Sequence, residues 1–253
     1  MMGNKPLAIF AALSNELSLL KGRMLIDKRI RLNRTTIFSG QIKNSSVILV
    51  QTGVGKDSMY EAVHTALNHF AIPLAINLGF CGGASPELFA GDVIIPYDIF
   101  EEEGESTHRP QKELVEKAQA LCKCVGIQIK EAKLLTCDKA ILSPHDKAFV
   151  ASKFQAHAID MESSAFLKAT SKNEIPSFVV RAVLDPLDME IPTLTGTLDE
   201  AGDIDYPGLI GEIASNPKLI FKLPKFNYLS TKARENLTTF IVGWIEKETS
   251  LGK

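Results

Sequence analysis

Residues 45–79 read SSVILVQTGVGKDSMYEAVHTALNHFAIPLAINLG, and they contain the repeating unit from which the fold can be predicted. It begins with an apolar run of strand length, continues through a segment whose apolar residues recur at helical spacing, and ends in a second apolar run. Both runs are continuous in Val, Ile, Leu and Ala, which is typical of strands that are covered on both faces. A strand, a helix and a strand in this order predict two parallel strands with a helix packed against them.

The same alternation continues on both sides of this stretch. The other segments that show it are LAIFAAL followed by SNELSLLKGRM, DVIIPYDIF, KELVEKAQALCKCVG, KLLTCDKAI, HDKAFVASKF, HAIDMESSAFLKATSK and SFVVRAVLD. Strands that alternate with helices are typical of a mostly parallel sheet between helices. We therefore predict an α/β fold with three layers, αβα, around a central, twisted, mostly parallel mixed sheet.

The sequence from about residue 190 onward has a different character. It contains Pro192, Pro207, Pro217 and Pro224, and then apolar residues at helical spacing, Leu229, Ala233, Leu237, Phe240, Ile241 and Trp244. A helix with one apolar face normally packs that face against the rest of its domain. We expect a single domain over residues 1–253, with a proline-containing helical extension from about residue 190.

Composition and charge exclude several classes of protein. The 253 residues include 28 Lys and Arg against 30 Asp and Glu, a net charge of −2, which argues against a nucleic-acid binder. No apolar run is long enough to span a bilayer and no export signal is visible, so we expect a cytoplasmic protein. The cysteines are too few and too scattered for a disulfide framework or a zinc site, so we predict that they are reduced thiols in the core. They are Cys81, Cys122, Cys124 and Cys137.

Four polar segments follow predicted strands, where ligands collect in open parallel sheets. They are Glu16, the turn Gly79-Phe80-Cys81-Gly82-Gly83, the pair Met161 and Glu162, and Asp185. Ser14 and Asp160 are the predicted N-caps of the helices that begin beside the two glutamates. Burial at the end of an apolar strand is expected to raise the pKa of Asp185, which keeps its carboxyl ready to donate a proton.

Each of these segments also has a purely structural interpretation. The helix dipole favours glutamates such as Glu16 and Glu162 in a first helical turn. Asp185 precedes Pro186 and can be a turn residue. The glycines of residues 79–83 would let backbone N–H groups approach a ligand, but a tight turn uses glycines as well.

Two common catalytic motifs are missing from the sequence. TGVGK is not a phosphate loop, because Val50 stands where GxxxxGK[ST] has its first glycine and Asp57 where it has Ser or Thr. No Gly-x-Ser-x-Gly elbow occurs, so a serine hydrolase would lack its nucleophile.

Six segments occur in a characteristic order between Leu7 and about Pro192. They are AALSNEL, TGVGK, NLGFCGG followed by AGDVIIP, TCDKAI, IDMESSA and RAVLDPLD. This set resembles the nucleoside phosphorylase and nucleosidase superfamily, especially the methylthioadenosine/S-adenosylhomocysteine nucleosidases. The part after Asp188 is similar in composition to that of hopanoid-associated members, which are proposed to remove adenine from adenosylhopane. The resemblance implies a nucleoside phosphorylase-like domain that cleaves the N-glycosidic bond of a purine nucleoside.

The resemblance also implies a role for each matching residue. Asp185 corresponds to the catalytic aspartate that protonates or hydrogen-bonds the purine N7, and Glu16 to the glutamate that activates the attacking water. Glu162 corresponds to the glutamate that binds the ribose hydroxyls, with Met161 packing on the sugar. The further substrate-binding positions are Gly79, Phe80, Ala140 and Ile141.

The sequence departs from the family pattern at four positions. Nucleoside phosphorylases bind phosphate with an arginine and a serine where Asn77 and Phe80 stand here, which favours water over phosphate as the nucleophile. Ala140 replaces an aromatic residue that usually stacks on the base, and Leu184 a serine that supports the catalytic aspartate. Phe80, Leu184 and the C-terminal extension favour a bulky apolar 5′ substituent such as that of adenosylhopane.

We therefore expect hydrolysis of an adenine nucleoside without a metal or another cofactor. The alternatives are a phosphorylase, with phosphate as co-substrate held by residues such as Arg23 or Lys56, and a non-catalytic nucleoside-binding protein. Family members self-associate, so we expect a homo-oligomer. The lysines of the extension alternate with apolar residues, at Lys218, Lys222 and Lys225, and this pattern suits contact with an anionic membrane surface. A packed helix or a subunit interface is the favoured interpretation.

Overall fold

The computed structural model describes residues 5–102, 107–189 and 219–251, apart from the side chains of residues 219–223, 225, 226 and 249–251. The strands are β1 (Leu7–Ala11), β2 (Leu25–Leu32), β3 (Thr35–Ile42), β4 (Ser45–Gln51), β5 (Ala75–Gly83), β6 (Val93–Ile94), β7 (Asp98–Glu101), β8 (Thr107–His108), β9 (Ile129–Lys130), β10 (Lys133–Thr136), β11 (Ala158–Asp160) and β12 (Ser177–Asp185). The helices are α1 (Ser14–Lys21), α2 (Lys56–Leu67), α3 (Lys112–Cys124), α4 (Pro144–Phe154), α5 (Ser163–Lys172) and α6 (Leu219–Leu251).

These strands form one mixed sheet. Its order is β2-β3-β4-β1-β5-β11-β10-β7-β8, with β12 paired to β5 and β6, and β9 paired to β6. β4 and β5, which flank α2, both run parallel to β1, which lies between them. The parallel arrangement predicted from residues 45–79 is confirmed, with β1 inserted between the two predicted strands.

Helices cover both faces of the sheet. One buried cluster contains Leu17 of α1, Val115 of α3 and Phe240 of α6. A second cluster contains Met59 of α2 and Phe166 of α5. Because the sheet lies between these clusters, the predicted α/β fold with three layers is confirmed.

The hairpin β2–β3 was missed by the sequence patterns described above. The two strands pair antiparallel, from Leu25 opposite Gln41 to Leu32 opposite Thr35. β2 is exposed or half-buried along its whole length, so it carries no apolar pattern. The available signal was Asn33, whose φ of +52° suits the tight turn between the strands.

The C-terminal helix α6 buries the apolar face that its spacing predicts. Leu237, Phe240 and Trp244 are buried, and the Trp244 ring lies 4.8 Å from the ring of Phe178 on β12. Pro224 lies inside α6. The other predicted features of the extension lie outside the described residues, so the single domain and the membrane contact stay predictions. Within the described ranges, no helix is long and apolar enough to cross a membrane.

The cysteines are free thiols in the structure. Cys81, Cys122 and Cys137 are buried, as predicted. The prediction of a core position was wrong for Cys124, which is exposed. It follows the buried Cys122 by two residues on α3, and residues two apart on a helix lie on different faces.

Candidate active site

The candidate site is built around β5. Along one edge of this strand, β1 pairs with residues 75–77 and β11 with residues 82–83, while β12 pairs along the other edge. Between β1 and β11, no described strand pairs with residues 78–81 on the first edge. Backbone groups of β5 are therefore left for the side chain of Glu16, which follows β1.

Glu16, in the first turn of α1, occupies part of this gap. Its Oε1 accepts a hydrogen bond from the Phe80 N–H at 2.7 Å, and its Oε2 accepts one from the Leu13 N–H at 2.8 Å. Burial raises the pKa of Glu16, although Arg181 and these backbone donors oppose the shift. A Cβ atom on Gly79 would lie 2.7 Å from Oε1 of Glu16, so the carboxylate needs a glycine at that position.

Arg181 of β12 is a buried positive charge beside the acidic groups. Its Nε and Nη2 donate to Oδ2 of Asp160 at 3.0 and 2.7 Å, and Nη2 also donates to Asn77 Oδ1 and Ser163 Oγ. Burial lowers the pKa of Arg181, but the carboxylates of Asp160, Glu162 and Glu16 raise it by more. The guanidinium therefore stays charged without access to solvent.

The N-terminal ends of the two helices beside the glutamates differ slightly from the prediction. The N-cap of α1 is Leu13, and the predicted cap, Ser14, is the first helical residue. Asp160 ends β11, and its Oδ2 accepts the Ser163 N–H at 3.1 Å, which is the bond expected from a cap. The N-cap position of α5 itself is occupied by Glu162.

Glu162 is held by the TGVGK segment. Its Oε1 accepts a hydrogen bond from the Gly55 N–H at 2.8 Å. Gly55 has a φ of +98°, a conformation that L-residues rarely adopt, so a glycine is needed to present this donor. Burial raises the pKa of Glu162 to about 8, with Asp160 adding to the shift and Arg181 opposing it. The shift favours the protonated form, and a protonated carboxyl can donate one hydrogen bond and accept others.

Asp185 is the last residue of β12 and follows a β-bulge at Leu184. The bulge places Asp185 opposite Gly82, where an added Cβ atom would lie 3.2 Å from Oδ2 of Asp185. The same Oδ2 accepts a hydrogen bond from Lys147 Nζ. Burial raises the pKa of Asp185 to about 6, although Lys147 lowers it. The direction of this shift agrees with the sequence-based expectation.

The three predicted carboxyl groups lie in one buried neighbourhood. Glu16, Glu162 and Asp185 are each less than a tenth exposed. Glu16 binds the N–H of residue 80 on β5 and Asp185 lies against residue 82, so they meet the strand two residues apart. The charge of Glu16 also contributes to the raised pKa of Glu162. Groups of this kind can give a proton to one atom of a substrate and take a proton from another.

The other predicted binding residues are less closely tied to these groups. Met161 and Phe80 are half-buried, on the connection from β11 to α5 and on β5. Ile141 is half-buried and packs on a small cluster that includes Leu135, and Ala140 is exposed in the loop before α4. Their roles in substrate binding therefore stay predictions.

Two charged residues of the site, Arg181 and Lys147, were not assigned a role from the sequence. An arginine within the apolar run SFVVRAVLD was an available signal, because a buried arginine needs a carboxylate partner. Lys147 gave no such signal, since it lies on a helix that is otherwise exposed or half-buried.

The described part of the structure has surface cavities away from these residues and no metal cluster. Two surface cavities of about 450 and 430 Å³ lie beside β7 and β8, and neither is lined by a predicted site residue. Across the described residues, no group of three His, Cys, Asp or Glu side chains is arranged to hold a metal ion.

Two nucleosidases of known name are similar to this chain in sequence. The 5′-methylthioadenosine/S-adenosylhomocysteine nucleosidase of Anoxybacillus flavithermus is 23% identical over 196 residues, which cover 71% of this chain and 84% of the relative. The enzyme of the same name from Staphylococcus aureus strain RF122 is 24% identical over 195 residues, covering 71% of this chain and 86% of the relative.

Solved structures show the same fold. The 5′-methylthioadenosine/S-adenosylhomocysteine nucleosidase of Neisseria meningitidis superimposes with a TM-score of 0.75 at 20% identity, over 96% of this chain and 99% of that one. Futalosine hydrolase of Helicobacter pylori superimposes with a TM-score of 0.76 at 17% identity, over 96% and 98%. The family model described as the phosphorylase superfamily matches residues 6–202. The chain therefore belongs to the phosphorylase superfamily.

Proposed function

We propose that this enzyme hydrolyses the N-glycosidic bond of a purine nucleoside and releases adenine. The observation that carries the proposal is the buried pair Glu16 and Asp185 against residues 79–82 of β5, with Glu162 close enough for the charge of Glu16 to raise its pKa. The names of the relatives, nucleosidases and a futalosine hydrolase, support the same reaction class.

Each carboxyl group suits one need of the reaction. When the bond between the sugar C1′ and the base nitrogen breaks, its electron pair goes to the base and positive charge develops on the sugar. Asp185 donates a proton to the departing base, since burial raises its pKa and lets it hold a proton at higher pH than an ordinary aspartate does. Water attacks C1′ and gives a proton to Glu16. Glu162 binds the ribose hydroxyls. No metal or other cofactor is needed for these steps.

Water suits the nucleophile position better than phosphate. Arg181 is engaged by Asp160, and Asn77 both accepts from Arg181 and donates from Nδ2 to the Phe10 carbonyl at 3.2 Å. A phosphate dianion placed here would also meet the carboxylate of Glu16, and like charges repel strongly in a buried site.

Several finer features belong to the same proposal. Phe80, whose N–H binds Glu16, and Leu184, which precedes Asp185, are half-buried and apolar, which supports an apolar 5′ substituent such as that of adenosylhopane. Self-association belongs to the proposal as well, because the resemblance to the nucleoside phosphorylase and nucleosidase superfamily implies it. Membrane contact by residues 218–226 is also part of the proposal, and the side chains of these residues, apart from Pro224, lie outside the described set.

The test is the release of free base from a panel of adenine nucleosides with different 5′ groups, including a long alkyl chain. Adenine and sugar products are separated chromatographically, with and without phosphate. We expect adenine and a free pentose at the same rate in both conditions. Asp185→Asn should lose most of the rate, while the matched control Asp188→Asn, an exposed residue three positions later, should keep it. Strict dependence on phosphate would show phosphorolysis, and binding of adenine without any release would indicate a non-catalytic binding protein.

A further inference from the structure

Lys147 is an unusual residue for its helix. It is 1% exposed, and it is the only buried residue of α4. The apolar residues of the helix, such as Val150 and Phe154, are only half-buried. A lysine is seldom fully buried unless it has a partner, so its burial here needs a specific reason.

The ammonium group of Lys147 has three acceptors around it. Nζ donates to Oδ2 of Asp185, to the Pro186 carbonyl at 3.1 Å and to the Met189 carbonyl at 2.9 Å. A lysine ammonium has three N–H donors, so these acceptors match its full capacity. One side chain of α4 therefore holds both the end of β12 and the turn that follows it.

We propose that Lys147 is a positioning residue that fixes the orientation of Asp185 for proton donation to the leaving base. This inference rests on the proposed function. By binding Oδ2, Lys147 leaves Oδ1 as the oxygen that meets the base. By binding the carbonyls of Pro186 and Met189, it prevents the end of β12 from turning away from residue 82 of β5.

The charge of Lys147 also sets the pH range in which Asp185 holds a proton. The groups that face Asp185 are Lys147 from α4 and the thiol of Cys81 from β5. Burial raises the pKa of Cys81 well above its usual range, so the thiol is uncharged at neutral pH. Arg181, on the same strand, is paired with Asp160. Removing the charge of Lys147 should therefore raise the pKa of Asp185 above about 6, by about 1–3 units.

The test compares kcat/KM for adenine release across pH in the wild type, Lys147→Met, Lys147→Gln and Lys147→Arg. A general acid works when protonated, so activity falls as pH rises through the pKa of Asp185 in the free enzyme. In the Met and Gln variants we expect this fall to occur about 1–3 pH units higher, together with a maximum lowered about 10- to 100-fold by misorientation. The Arg variant should keep the pH at which activity falls, because it keeps the charge.

The control is Lys153→Met, which removes an exposed lysine from the same helix and should change nothing. A purely structural role for Lys147 would lower the maximum without moving the profile, and that result would overturn the proposal. Lys147→Gln keeps hydrogen-bond donors and serves as the neutral variant if Lys147→Met does not fold.

A second readout separates this inference from the proposed function. The carboxyl carbon of Asp185 can be titrated by ¹³C NMR in the wild type and in the Gln variant, with no substrate present. If the wild type releases no base, the proposed function fails, but an upward shift of the Asp185 titration in the Gln variant would still support the pairing. An identical titration in both proteins would refute it, whatever the activity.

Discussion

Gly79→Ala is the sharpest test of the geometry around Glu16. A Cβ atom at this position would lie 2.6 Å from Nη1 of Arg181 and 2.7 Å from Oε1 of Glu16. Ordinary contacts of a Cβ atom begin near 3.4 Å, so each group must retreat by about 0.7 Å or more. Neither group moves easily, because Glu16 is bound to two backbone N–H groups and Arg181 to Asp160.

The expected loss of activity follows from this displacement. A shift approaching 1 Å in a group that activates the nucleophile costs on the order of 10²-fold in kcat/KM. Crowding of a packed site also lowers the free energy of unfolding by about 1–3 kcal/mol. The assays are adenine release at saturating and limiting substrate and urea unfolding followed by circular dichroism.

The matched control for this change is Gly22→Ala. Its added Cβ atom meets nothing closer than the Leu19 carbonyl oxygen at 3.6 Å, and the residue has an ordinary helical φ of −66°. We expect wild-type activity and unchanged or slightly higher stability. If Gly79→Ala kept activity within twofold of the wild type while folding normally, the assignment of Glu16 to the reacting centre would be refuted.

Three further predictions address single groups of the site. Glu16→Gln should lower kcat about 10²- to 10⁴-fold, because an amide cannot accept the proton of water. Adenine binding, measured by calorimetry, should persist. Equal loss of kcat and of adenine binding would indicate misfolding instead. Glu162 has a pKa raised from 4.5 to about 8, so the folded state holds this proton more tightly than the unfolded chain and loses stability as pH rises from about 4.5 to about 8. Urea midpoints should accordingly fall between pH 5.5 and 8.5 in the wild type and fall less in Glu162→Gln, and an equal decline in both would contradict the assignment. Arg181→Met leaves the Asp160 carboxylate buried and without its ion-pair partner, and should cost about 3–5 kcal/mol of unfolding free energy. The control, Arg109→Met, removes one partner of an exposed ion pair and should cost less than about 1 kcal/mol. Similar costs for the two changes would show that the buried pair is not structurally important.

Much of the fold was accessible from local patterns. The apolar runs of β1, β4, β5 and β12 are continuous because both faces of these strands are buried, and helices between them imply a parallel sheet. The hairpin strand β2 was not accessible in this way, because a strand exposed along its length has no apolar face to reveal it.

The candidate carboxylates were also identifiable as residues that follow predicted strands. Their partners were not, because the bonds that hold them join distant parts of the chain: Gly55 to Glu162, Phe80 to Glu16 and Lys147 to Asp185 are 107, 64 and 38 residues apart. No periodicity within a segment encodes such a contact.

The linear order of residues settles the fold class and the chemical identity of the acids, since burial patterns and side-chain types are local properties. Only the folded chain settles how those acids behave. Burial removes water from Asp185 and Glu162 and raises the pKa of both, while Lys147 and Arg181 limit the rise through charges that the fold brings to them. Protonation therefore depends on neighbours in space, and these neighbours exist only once β5, β11 and β12 are assembled with the helices around them.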